Sequence, residues 1–208
     1  MAGDGAFDEG SRAGRRRASH FERTRRPRMA DLTDLPAAAH SAVAEAEVAL
    51  AQETLSAIID GANPKGDVLS TAELAGVMAG KRAPELIPLV HPKPLAHLVV
   101  NAVPDRAAGA VRIRAEAAAV GVTGVEMEAL AAAAVAALTV YDMIRDLEPG
   151  ATIREAKLVA TSAGPDDEWR RPGEPADAQR PPKGVRTAGR IVPAPRGGVP
   201  PGPGPRRR

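Results

Sequence analysis

The chain has 208 residues, 44% of them apolar and only 2% aromatic, so a single core of aliphatic side chains is within reach. It contains no cysteine, which excludes disulfides, thiolate metal sites and a cysteine nucleophile. The net charge of +2 is unevenly spread: residues 1–28 hold eight Arg against four acids, residues 170–208 hold nine Arg and one Lys against two acids, and residues 29–169 hold ten Lys and Arg against twenty acids, a body of −10.

Residues 1–28 are rich in Gly and Arg and are expected to be a disordered extension. They show no apolar stretch of the signal-peptide kind, and no unbroken apolar run in the chain reaches the ~18 residues of a membrane span. The expected compartment is the cytoplasm. Ala42 to Leu50 alternates with period two, with Ala44, Ala46, Val48 and Leu50 on one face and Glu45 and Glu47 on the other. That pattern predicts a strand, although alanine favours helix. Gln52–Asp60 reads as a short helix stopped by Gly61, and Asp67–Arg82 as a second one. Pro84, Pro88, Pro92 and Pro94 make the next stretch a loop. Leu95–Val103 and Ala110–Ala119 read as strands joined by a turn ending at Gly109. Val125–Leu147 is a long alanine-rich helix whose thin side-chain layer lets a partner approach closely, and Pro149-Gly150 ends it. Thr152–Thr161 is the last predicted strand. From Pro165 onward the chain holds eleven of its twenty prolines and reads as disordered.

The two short helices form one crossover region, so the order is β-α-β-β-α-β. This is an α+β, ferredoxin-like split βαβ fold, an antiparallel sheet with helices on one face, flanked by disordered basic tails. The domain spans 29–163, between the Arg-rich extension 1–28 and the Pro/Gly/Arg-rich tail 164–208. Exposed Ala and Val surface favours a homo-oligomer. Nucleic acid is not an expected partner; the basic tails are the one place that would allow it, and no aromatic residues interleave the C-terminal arginines there to stack on bases.

Three segments carry chemistry. In Asn63-Pro-Lys-Gly-Asp67, Lys65 is placed to meet a phosphate near a helix N-terminus, or is solvated while Asp67 serves as an N-cap. In the stretch from Lys81 to Pro92, His91 sits in a stiff loop as a ligand, a proton shuttle or a structural residue. No second histidine stands at metal-ligand spacing, so no metal site is expected. In Gly121 to Ala129, Glu126 and Glu128 occupy the first turn of a helix and lie ~200° apart, so they face different ways. Near the end of that helix Asp142 and Arg145 share a face, as a surface ion pair or as an acid/base group with its cation.

Taken in order, these segments resemble the molybdenum-cofactor biosynthesis protein C family, the cyclic pyranopterin monophosphate synthases. The matching residues are Lys65 to Val68, Lys81 with Arg82, Leu86 to Leu89, His91 with Pro92, Thr123 to Ala129, and Tyr141 to Met143. The resemblance covers about residues 29–162. It implies a lyase that converts 3′,8-cyclo-7,8-dihydroguanosine 5′-triphosphate to cyclic pyranopterin monophosphate with release of diphosphate. It also implies no cofactor, and a hexamer built from dimers with active sites at subunit interfaces. By the same resemblance Asp142, Lys65 and Arg145 are catalytic. Leu89, Val90, His91, Lys81, Glu126, Met127 and Glu128 bind substrate.

The chain departs from the family pattern at several positions. Arg145 stands where the family has a catalytic lysine, Val122, Thr161 and Pro165 where it has cations, His40 where it has an arginine, and Val90 where it has a cysteine. Arginine keeps its proton, so Arg145 is expected to stabilise charge rather than transfer a proton. The lost cations motivate a second reading, a catalytically impaired relative of the same fold acting as an oligomeric binding or scaffold protein.

Overall fold

The computed structural model describes residues 27–164 and 167–174. Most of both predicted tails, and Pro165, lie outside the described residues. Among the described residues nine elements follow one another: β1 (Ala38–Ala49), α1 (Gln52–Ile59), α2 (Val68–Lys81), α3 (Ala83–Leu86), β2 (His97–Asp105), β3 (Ala110–Gly121), α4 (Glu126–Ile144), β4 (Thr152–Ala163) and β5 (Glu168–Arg170). The five strands form one antiparallel sheet in the order β2-β3-β1-β4-β5. With β5 set aside, this is the split βαβ arrangement expected from the sequence.

β1 is a strand because its alternation serves two different faces. Ala42, Ala44, Ala46 and Val48 are buried against the helices. Glu45 and Glu47 point the other way and meet cations on neighbouring strands: Glu45 pairs with Arg114 at 3.1 Å and Glu47 with Arg154 at 2.6 Å. Opposite charges on adjacent strands hold the register of an alanine-rich strand whose side chains alone specify it weakly.

The helices cover one face, and α4 is the centre of that layer. Ala129, Ala132, Ala133, Ala136, Ala137, Val140 and Ile144 are fully buried. By length and composition α4 is the one helix among the described residues able to cross a membrane, but its buried alanine stripe against the sheet makes it a core helix. α2 lies unusually close to it. A Cβ on Gly76 would sit 2.9 Å from the Ala132 carbonyl oxygen, and one on Gly80 would sit 3.0 Å from that of Glu128. Small residues on both helices thus produce the close approach that the alanine content predicts.

Two elements were not foreseen. The proline-rich stretch expected as a loop contains the short helix α3, because Pro84 falls in its first turn, where a missing N–H costs nothing. The start of the segment expected to be a disordered tail instead supplies β5, which adds to the free edge of β4 through Thr161↔Trp169 and its neighbours. Trp169 also lies under the Arg171 guanidinium, 5.7 Å from its ring centre.

Candidate active site

The loop between α1 and α2 turns at Gly61 and Gly66, both with positive φ. Its far side is fixed by Asp67, which caps α2: its carboxylate accepts from the Ser70 hydroxyl and from the Ser70 backbone N–H at 3.1 Å, and these bonds, the hydroxyl's first, hold the carboxyl below its ordinary value. Its near side docks on the last turn of α4. Asn63 donates its side-chain amide to the Met143 carbonyl at 3.2 Å, and the Lys65 ammonium donates to the Asp142 carbonyl at 2.7 Å. Carbonyls of the last helical turn lack intrahelical partners, and a cation there also suits the helix dipole. Lys65 therefore meets the C-terminal end of α4 and not the N-terminus of its own following helix.

This docking brings the three predicted catalytic residues together. Arg145 Nε lies 3.4 Å from Asp142 Oδ1, and Lys65 is held on the carbonyl of that same Asp142. The Asp142 carboxylate is 63% exposed. Asp146, which the sequence reading passed over, joins the cluster: its carboxylate lies 3.1 Å from Lys65 Nζ and 3.9 Å from Arg145 Nε.

The predicted substrate-binding residues are elsewhere. Glu126 and Glu128 face different ways, as their spacing requires. Glu126 accepts from the Thr161 hydroxyl on β4 at 2.6 Å. A neutral hydroxyl thus satisfies this carboxylate. The Glu126 carboxylate folds back over Gly124, where a Cβ would make it shift. Glu128 is buried, and its Oε1 pairs with Lys93 Nζ at 2.7 Å, while Oε2 has no hydrogen-bond partner. Lys93 was also missed from sequence, where a lysine after His91-Pro92 looks like any loop cation. His91 Nε2 lies 3.0 Å from the Ala30 carbonyl. A carbonyl only accepts, so Nε2 carries the proton. Leu89, Val90 and Met127 are half-buried nearby in sequence to these groups, and Lys81 is exposed at the end of α2, next to Gly80 and its contact with Glu128. His40 is buried, with Nε2 donating to the Gly121 carbonyl at 3.1 Å.

The residues thus form two groups at opposite ends of one helix. Fourteen residues separate Glu128 from Asp142, about 21 Å of α-helix. One chain does not bring its predicted catalytic trio to its own predicted substrate-binding segment.

The MoaC family profile matches residues 29–164. The chain is 44% identical over 154 residues to a protein of Chloroflexus aurantiacus (strain ATCC 29366 / DSM 635 / J-10-fl), covering 74% of this chain and 94% of that one. It is 47% identical over 146 residues to one from Roseiflexus sp. (strain RS-1), covering 70% and 92%. A protein of Methylobacterium nodulans (strain LMG 21967 / CNCM I-2342 / ORS 2060) is also 47% identical over 146 residues, covering 70% and 91%. All three relatives are named cyclic pyranopterin monophosphate synthase.

Proposed function

The chain belongs to the MoaC family, and from that premise we propose that it acts on 3′,8-cyclo-7,8-dihydroguanosine 5′-triphosphate, giving cyclic pyranopterin monophosphate and diphosphate. It is a lyase of molybdenum-cofactor biosynthesis. The observation that carries the reading is the convergence of Lys65, Asp142 and Arg145 at the end of α4, at positions that match the family's motifs. In this reading Asp142 moves the proton, since an exposed carboxylate is free to take one up and release it. Arg145, always charged, stabilises negative charge as it develops. Lys65 is a cation close to both. Glu126, Met127, Glu128 and His91 position the purine side, with Lys81 offering a cation at that end.

The 21 Å spacing supports a homo-oligomer in which the C-terminal end of α4 from one copy faces the N-terminal end of α4 from another. We place this assembly in the cytoplasm as a trimer of dimers. The scaffold alternative is not favoured: the catalytic trio is assembled, and the relatives carry the synthase name.

The test is turnover. Purified full-length protein is mixed with enzymatically made substrate, and diphosphate and pyranopterin are measured. Product well above a protein-free control is expected. An intact oligomer that releases no diphosphate would overturn the reading.

A further inference from the structure

Asp146 is an acid in an unfavourable place. It follows α4, near carbonyls that carry the negative end of the helix dipole, and Asp142 is one turn before it. Its neighbours explain how it is tolerated. Its two carboxylate oxygens reach the two cations of the catalytic group, Lys65 at 3.1 Å and Arg145 at 3.9 Å. Counting Lys65, Arg145, Asp142 and Asp146, the cluster is neutral. A triphosphate approaching it meets no net attraction, and the −10 body around it repels.

We propose that Asp146 is a resident anion that competes with the substrate's phosphate groups for Lys65 and Arg145, and so sets how tightly this chain holds its substrate. The inference rests on the proposed function, because a polyanionic ligand is what makes the competition matter. The side chain is 70% exposed, so it swings away without opening the core. Displacing it frees one donor on Lys65 while that ammonium keeps its bond to the Asp142 carbonyl. Asp146 is thus a residue that tunes affinity by weakening binding. It touches no reacting atom.

The consequence is a gain on removal, which a structural role does not give. Asp146→Asn keeps the shape and deletes the charge. KM for the triphosphate is expected to fall about two- to fivefold, the range of an exposed ion pair. The gain shrinks as salt rises. Glu53→Gln, the same charge change on an exposed acid of α1, is expected to leave KM where it was. Inorganic diphosphate, measured by calorimetry on full-length protein, gives a readout independent of turnover and is expected to bind Asp146→Asn more tightly by a similar factor. Tighter diphosphate binding without any turnover in the wild type would sink the proposed function and leave this inference standing. Unchanged or weaker binding of diphosphate by Asp146→Asn, or an equal gain from Glu53→Gln, would overturn it.

Discussion

The two ends of α4 are built on opposite electrostatic terms. At its C-terminal end Lys65, Asp142, Arg145 and Asp146 meet in solvent, with the two acids 63% and 70% exposed. Water screens such pairs, so they add little to stability and are free to exchange partners for a ligand. At its N-terminal end Glu128 and Lys93 form a 2.7 Å pair with side chains 3% and 10% exposed. A pair taken out of water is held rigidly, and each charge depends on the other. One helix therefore carries a labile, solvated end, where the proposed catalytic residues lie, and a fixed, buried end. The contrast predicts that substitutions at the first end act on turnover alone, and at the second on turnover and, where they strand a buried charge, on folding as well.

The largest effect expected is on rate. Asp142→Asn should lower kcat by roughly 10²–10⁴-fold, the usual worth of a proton-transfer group. Its thermal midpoint should stay near that of the wild type, because the lost carboxylate is solvated. A variant that melts early would contradict the contrast. Next comes Lys93→Met, which leaves the Glu128 carboxylate buried without its cation. It should cost about 3–5 kcal/mol of stability by chemical denaturation, and pairing it with Glu128→Gln should recover much of that. A neutral outcome would place water, rather than Lys93, in charge of Glu128.

Smaller effects sharpen the picture at the labile end. Arg145→Lys keeps the charge near Asp142 and adds a group able to give up a proton, so turnover is expected to hold or rise while the melting point stays put. A large fall in rate would show that the planar guanidinium itself is needed. The smallest effect is in acid. Hydrogen bonds from Ser70, first its hydroxyl and then its backbone N–H, hold the Asp67 carboxyl below its ordinary value. A group whose folded value is depressed stabilises above its unfolded value of ~3.9 and loses that stabilisation as pH falls through the folded value. Cap strength, and with it the loop that holds Lys65, should weaken only below about pH 4. Asp67→Ala should remove that pH dependence, which a denaturation series between neutral and acid pH measures.

Much of this was legible in the sequence because period-two and helical patterns carry it. The alternation from Ala42 to Leu50 predicted β1 against its alanine propensity, since Glu45 and Glu47 had to face water or cations. The Asp67 cap and the divergence of Glu126 from Glu128 followed from position alone. What escaped was set by tertiary contact. β5 is three exposed residues with no pattern of its own, and it exists because the edge of β4 offers unpaired backbone groups. Lys93 and Asp146 gain meaning only from partners thirty-five and eighty-one residues away in the chain, Glu128 and Lys65. Asp146 left one faint signal, an acid placed against the helix dipole one turn after another acid.

The central claim is that the two ends of α4 complete each other across a subunit boundary, and mixed oligomers test it directly. Asp142→Asn and Glu128→Gln are purified separately, each with little or no activity, then dissociated, mixed in equal amounts and reassembled. If each site takes Asp142 from one copy and Glu128 from another, the mixture should regain roughly a quarter of wild-type turnover, the share of random pairings in which both groups are intact. A mixture that reassembles fully and stays as inactive as its parts would contradict the account.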